Sequence, residues 1–325
     1  MPVKTVNLIA PGLFNSFHQS EIDRPVTGTR LLQKLIARSK HLRSLDANPI
    51  YRYHSELPLA LYESINEQVE PDQEYSVIYL QPLHLELKSD HIVARSVDTV
   101  NSDYSAIINL LNNYYQTENL KFLQLKTGNI VCFFNHHKSV QFTPVSNILG
   151  RDIKHFLPDG KDSAYWISLF NELQMLLHEN ANQINQEQSG LNGFWLWGVS
   201  TVETNISFSG EYMGEVEWLN GFCKKNSLNK IDIKQLNVSD AETVTIIEEG
   251  FLPFSSSGDF SGWLKQFDEF NNNLLTSLYR ALSTKKVQRI MIYDSENSAY
   301  EIKRSDRFRL FRKTPSINKI CSISI

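Results

Sequence analysis

The sequence predicts an α/β protein: a mixed sheet with helices packed on it. Three observations carry this. Strand-like and helix-like segments alternate along the chain, hairpin signals recur among them, and two long amphipathic helices are present. A hydrophobic content of 41%, with 18 Phe, 13 Tyr and 5 Trp, supplies ample bulk for a core. No composition shift or Pro/Gly-rich linker divides the 325 residues, so 1–325 reads as one globular α/β unit with no secure internal boundary.

In order, Val3–Ala10 reads as a buried strand stopped by Pro11-Gly12. Arg30–Ser39 carries a helical apolar stripe at Leu31, Leu32, Leu35 and Ile36. Tyr75–Leu87 and His91–Val97 alternate as strands joined across Lys88-Ser89-Asp90. Ser102–Gln116 places Ile107, Leu110, Leu111 and Tyr114 on one helical face. Leu120–Leu125 and Ile130–Phe134 flank Lys126-Thr127-Gly128-Asn129, the clearest hairpin signal in the chain.

Asp162–Asn180 is a long helix with Asp162 or Ser163 as N-cap. Phe194–Gly198 and Thr243–Ile247 read as strands, and Phe260–Thr284 as a second long helix. The tail returns as strands over Gln288–Tyr293, Ala299–Ile302 and Arg307–Arg312. Asn180–Gly193 and Asn220–Asp240, polar and Asn-rich, read as loops.

A formal net charge of −4 argues against a general nucleic-acid binder, which needs a strong basic footprint. No signal-peptide pattern opens the chain and no apolar run approaches the ~18 residues of a membrane span. Cys132, Cys223 and Cys321 lie far apart without a C-x-x-C pair, which fits reduced thiols in the cytoplasm. No Walker A, G-x-G-x-x-G or G-x-S-x-G pattern occurs.

One stretch is distinctive. Thr143-Pro144, Gly150-Arg151, Leu157-Pro158-Asp159-Gly160 with Asp162 and Trp166, Asn171-Glu172-Leu173-Gln174-Met175-Leu176-Leu177-His178, and Asn192-Gly193-Phe194-Trp195-Leu196-Trp197-Gly198 follow one another in order. This run resembles the RpfE-type bacterial regulatory proteins, a family filed as similar to cofactor-independent phosphoglycerate mutases. The resemblance extends upstream to Pro82-Leu83-His84-Leu85, and downstream to Gly258-Asp259 with Trp263 and to Arg307–Lys313. It implies a phosphomutase or alkaline-phosphatase-like scaffold, degenerate in its chemistry. Two departures stand out: Gln81 replaces the Asp that precedes Pro82 in the family pattern, and Val199-Ser200 replace a glycine run.

The residues have a physical reading of their own. On the Asp162–Asn180 helix, Trp166, Leu169, Phe170, Leu173 and Leu177 form the core stripe. Asn171, Gln174, Met175 and His178 group on another side, uncharged but polar. Two readings compete: a polar pocket wall, or a network tying the helix to the Trp195/Trp197 strand, the second being the commoner kind. Trp195 and Trp197 share one strand face, and their indole N–H groups need acceptors that Asn192 or the helix amides could supply. His84 sits in an apolar strand. Asp259 follows Ser255-Ser256-Ser257-Gly258, which is either an anion site or an N-cap. The candidate pocket is therefore His84, Asn171, Gln174, His178, Asn192, Trp195, Trp197 and Asp259, converging in space.

A metal-dependent mutase needs clustered Asp and His with a Ser or Thr nucleophile. Neither D-x-x-x-H nor H-x-x-x-H occurs; Asp90-His91 lies in a hairpin turn, and His136-His137 has no carboxylate nearby in sequence. The metal-dependent reading is disfavoured and no metal or cofactor is expected. The preferred function is a regulatory protein that binds a small ligand or a protein partner, not nucleic acid or membrane. The alternative is a hydrolase or phosphomutase acting on a small phosphorylated metabolite, with Mn or Zn. The basic tail (Lys303, Arg304, Arg307, Arg309, Arg312, Lys313) reads as a solvated sheet edge, or more sharply as a patch for phosphate or an acidic partner.

Overall fold

A computed structural model of the chain describes residues 3–14, 17, 30–46, 48–69, 75–97, 102–135, 140–181, 190–199, 208–237, 239–309 and 311–321. His136, His137, Ser200 and most of the Asn180–Gly193 loop lie outside the described residues. The elements begin with β1 (Val3–Ile9), α1 (Leu31–Arg38), β2 (Lys40–Leu42), α2 (Tyr53–Glu56), α3 (Leu59–Asn66), β3 (Ser76–Leu87) and β4 (Ile92–Ser96). Next come α4 (Ser105–Tyr114), β5 (Lys121–Gln124), β6 (Ile130–Phe134), α5 (Ser163–Glu179), β7 (Gly193–Trp197), β8 (Glu211–Met213), α6 (Glu217–Lys225) and β9 (Asn229–Lys230). The chain continues through β10 (Thr243–Ile247), α7 (Leu252–Ser257), α8 (Phe260–Phe270), α9 (Thr276–Ser283), β11 (Val287–Ser295), β12 (Ser298–Lys303) and α10 (Ile317–Cys321). The fold is α/β, with one mixed sheet and one antiparallel sheet.

Two compact units form, one from Met1–Tyr51, Ile206–Leu219 and Asn226–Ile325, the other from Arg52–Asn205 and Asn220–Lys225. Because the chain returns to the first unit after building most of the second, no linker composition marks the division.

The first unit is built on a seven-stranded sheet in the order β2-β12-β11-β1-β10-β8-β9. β1 pairs in parallel with β10 and β11, and antiparallel β12 and β2 finish one edge. The central position of β1 explains why every residue but Lys4 is buried or half-buried, since a parallel strand covered on both faces leaves little surface to solvent. The helical core face is Trp263, Phe267, Phe270, Leu275, Leu278 and Leu282, all buried.

The single helix expected over Phe260–Thr284 is instead α8 and α9 joined by a π-turn at Asn271–Leu275. The cause is a buried amide. Asn271 donates through Nδ2 to the Phe267 carbonyl at 2.5 Å, and its Oδ1 accepts from the Leu32 N–H at 2.8 Å. That N–H is one of the orphan donors in the first turn of α1, so a side chain on one helix completes the start of another. Arg30, just before α1, adds an ion pair to Asp268 at 2.7 Å.

Two expectations are corrected in the chain's second half. Arg307–Arg312 does not form a strand over its described residues: Arg304–Phe308 is a 3₁₀ turn. Asp306 fixes it by accepting from the Lys303 N–H at 2.7 Å and pairing with Arg309 at 3.3 Å. Nor is Asn220–Asp240 wholly loop. Its beginning lies in α6, where Trp218, Leu219, Phe222 and Cys223 are buried at helical spacing, and β9 adds two residues to the sheet.

The second unit is an antiparallel sheet around the long strand β3. Leu80 pairs with both Ile130 and Leu196, and Leu83 with both Ser96 and Gly193. β6 and β4 therefore follow each other along one edge of β3 while β7 occupies the other. Pro82 lies opposite Phe194, with its nitrogen facing the gap between β6 and β4, where no donor is required. Ile78, Leu80, Phe122, Ile130, Phe194 and Leu196 share one core with Trp166, Leu169, Leu173 and Leu177 of α5. Asp162 occupies the N-cap position of α5 but makes no capping bond through its side chain.

Candidate functional site

The motif residues of α5 and β7 meet at the open edge of β7. The amide of Gln174 donates through Nε2 to the Phe194 carbonyl at 3.0 Å, and its Oε1 accepts from the Phe194 N–H at 3.1 Å. One side chain thus supplies both hydrogen bonds that a neighbouring strand would make. α5 straddles this edge: Leu173 and Leu177 pack with Phe194 and Leu196 on one side, and Phe170 meets Trp195 edge-on at 5.7 Å on the other. Covering an edge strand with a helix is a recurrent solution to unpaired backbone groups. Gly193 is required for the fit, because a Cβ there would lie 2.5 Å from Gln174 Oε1.

Asn192 repeats the device one strand over. Its Oδ1 accepts from the Leu85 N–H at 2.6 Å and its Nδ2 donates to the Leu85 carbonyl at 3.0 Å. The β3–β7 ladder is thereby extended past the end of β7. His84, next to Leu85, donates through Nδ1 to the Gly190 carbonyl at 2.7 Å.

The eight candidate residues do not converge on one cavity. By strand alternation His84 faces the side of the sheet that carries Ile78, Leu80 and Phe194, whereas Trp195 and Trp197 face the other. Asn171, Met175 and His178 are exposed, Met175 at 59%, while Gln174 is half-buried. Asp259 belongs to the other unit, where its carboxylate accepts from the Gly262 N–H at 2.9 Å as the N-cap of α8. Ser255 and Ser257 donate to carbonyls within their own short helix, α7. The indoles also find partners other than those expected. Trp195 donates to the Thr143 carbonyl at 2.8 Å, and Trp197 Nε1 is buried with no acceptor among the described residues.

Two titratable clusters were not visible in the sequence. On the Trp197 face of the second unit, Glu63 of α3 is 2% exposed and accepts from Tyr79, Thr127 and Asn129, the last at 3.0 Å to both oxygens. Burial pushes its pKa up, against the lowering effect of these hydrogen bonds. Tyr79 packs on Trp197 at 5.1 Å, and Trp197 stacks on His54 at 5.7 Å.

In the first unit, a bulge near the end of β11 turns Asp294 inward. Asp294 accepts from His41 Nε2 at 2.9 Å, from the Ser298 hydroxyl, and through its backbone carbonyl from Tyr51 at 3.0 Å. His41 stacks on Tyr300 at 4.3 Å. Burial, reinforced by the negative charge of Asp294, pushes both Tyr51 and Tyr300 up to about 12, so both phenols stay protonated. A carboxylate holding one imidazole nitrogen orients the ring, the arrangement general acid–base sites use for proton transfer.

Cys132 and Cys223 are buried, and burial raises the Cys132 thiol well above its usual value. Among the described residues no three His, Cys, Asp or Glu side chains gather as metal ligands. No described helix is long and apolar enough to cross a membrane.

No family model matches the chain, and no curated protein does. Among solved structures, the PH0037 protein from Pyrococcus horikoshii is similar over 93% of this chain and 88% of its own, at 10% identity and a TM-score of 0.50, a likeness of fold alone. A cofactor-independent phosphoglycerate mutase from Thermoplasma acidophilum DSM 1728 aligns with 100% of this chain and 96% of its own, at 9% identity and a TM-score of 0.38, too distant to argue from.

Proposed function

We propose that this is a regulatory protein of the RpfE type, binding a small ligand or a protein partner on a phosphomutase-like scaffold and lacking metal-dependent mutase activity. One observation carries the reading: the most distinctive polar residues of the motif, Gln174 and Asn192, have both ends of their amides engaged by backbone. They build a strand edge, which gives both amides a structural role in place of holding a metal or a reacting atom. Gln81, opposite Trp195, stands where the family pattern has an acid, which supports the same reading. The uncharged exposed face of α5, Asn171, Met175 and His178, remains available to a ligand or partner.

The test is metal analysis of protein purified without chelators, combined with turnover of p-nitrophenyl phosphate and 3-phosphoglycerate. The reading expects substoichiometric metal and no turnover. Stoichiometric Mn or Zn with turnover would overturn it. Gln81→Asp is the companion variant: metal gained on substitution identifies a lost ligand.

A hydrolase or phosphomutase acting on a small phosphorylated metabolite is the second reading, and the His41–Asp294 pair favours it. The pair lies at the carboxyl end of β11, the end of a parallel sheet where ligand sites form. Loss of a phosphatase activity in His41→Gln, with the fold retained, would select this reading over the first.

A further inference from the structure

The first unit carries a basic and aromatic ledge that its own described carboxylates neutralise only in part. Phe308 is 70% exposed and Phe311 fully so, the two most exposed aromatic rings outside the tyrosines among the described residues. Arg307 lies over the Phe308 ring at 4.6 Å. Beside it is a shallow cleft with an apolar floor of Leu35, Tyr279 and Ile302 and a rim of Arg38, Lys303 and Arg307. Asp306 also borders the cleft, but its carboxylate is engaged by the Lys303 N–H and by Arg309. Lys303 pairs with Glu301 at 2.9 Å, whereas Arg38 and Arg307 have no carboxylate within 4.0 Å among the described residues.

The ledge is also tied to the end of α1. Arg309 donates to the Arg38 carbonyl and Arg312 to the Ser39 carbonyl, each at 2.9 Å. These bonds satisfy the carbonyl end of α1, where cations are favoured by the helix dipole. Two arginines therefore anchor the segment, while the Phe rings, Arg307 and Lys313 remain exposed. Exposed aromatic and arginine side chains on a pre-ordered support are what binding hot spots are made of.

We propose that this ledge docks a linear segment of a partner protein, acidic and carrying an apolar anchor residue. The carboxylates would meet Arg38 and Arg307, and the anchor would lie against the exposed Phe308 and Phe311 rings. Charge complementarity selects an anion. Two exposed rings beside two uncommitted arginines make a peptide-sized footprint, less than the broad apolar face or polybasic cluster that holds a protein on a bilayer. The narrow footprint on a chain of net charge −4 disfavours nucleic acid, whose backbone needs a long basic track. This surface is independent of the α5–β7 residues and of whether the chain is catalytic.

The experiment is selection of a displayed random dodecapeptide library on the full chain, with Phe308→Ser/Phe311→Ser and Arg307→Glu as comparison proteins. Arg309 and Arg312 are left intact because they hold the fold, and thermal melts confirm that the variants match the parent. The expected result is a pool enriched in Asp and Glu around an aromatic or aliphatic residue. Its peptides should bind each variant about tenfold or more weakly and lose affinity with salt. Competition with mixed phosphatidylcholine–phosphatidylserine vesicles and with a single-stranded oligonucleotide should leave peptide binding in place. A pool without acidic enrichment, peptides that bind parent and variants equally, or displacement by vesicles or oligonucleotide would each overturn the proposal.

Discussion

α5 and the α8–α9 rod each carry one amide that replaces a missing backbone partner, and the two positions differ in what the amide completes. Gln174 closes the edge of a strand and sits half-buried. Asn271 satisfies an orphan N–H at the start of α1 and is 3% exposed. The strand edge leaves the α5 backbone regular. The buried amide in α8–α9 competes for a carbonyl of its own helix, and the helix widens into a π-turn at that point. A polar side chain in a helix can therefore mark architecture, and the geometry of its partners shows what kind.

The comparison predicts a ranking of costs. Asn271→Leu should be the most damaging, destabilising the first unit by about 3 kcal/mol, because it strands a buried donor away from bulk solvent. Urea denaturation measures it. Gln174→Leu should cost about 2 kcal/mol by the same assay, and Gln174→Asn, one methylene shorter, should not restore the loss. Asn192→Ala should cost only about 1 kcal/mol, since its partners on Leu85 lie where solvent reaches. Asn171→Ala and His178→Ala should change stability by no more than about 0.5 kcal/mol, as both side chains are exposed. A large loss at either would show that the exposed face of α5 supports the fold.

Glu63 sharpens the contrast through pH. Its folded pKa is raised above the ordinary value of 4.5, so the folded protein holds the proton more tightly than the unfolded chain does. Its contribution to stability should be fully present below about 4.5 and fall as pH rises through the raised value, then level off. In Glu63→Gln that segment of the stability–pH curve should flatten. An unchanged slope would show that another group carries it.

Much of the fold was legible where one residue pattern had one physical cause. β10 falls on Thr243–Ile247 as read, and β1, the β5–β6 hairpin and α5 follow their apolar periodicity to within a residue or two, while the second long helix keeps its ends and its apolar face but is interrupted at Asn271–Leu275. What was not legible depended on partners distant in sequence. The alternation Arg307-Phe308-Arg309-Leu310 imitates a strand, but Asp306 and the carbonyls of Arg38 and Ser39 draw the described part of the chain into a turn and a ledge. Asn220–Asp240 reads as polar because its Lys and Asn residues outnumber the buried stripe of α6. For the candidate site, the helix face and the paired indoles were placed correctly on their elements. Whether Gln174 looked into a pocket depended on β7 being an edge strand, and no local pattern encodes that. Glu63 and Asp294 look like any surface acid in the sequence; burial by α3 and a bulge in β11 give them their character.

The most direct test is hydrogen exchange at the Phe194 amide in the parent chain and in Gln174→Leu. If the motif glutamine completes the edge of β7, the Phe194 N–H should be strongly protected in the parent. In the variant it should exchange about a hundredfold faster, equivalent to the ~2–3 kcal/mol of a lost bond, while the central amides of β3 stay protected. Equal protection in both proteins would contradict the account and return Gln174 to the list of groups free for chemistry.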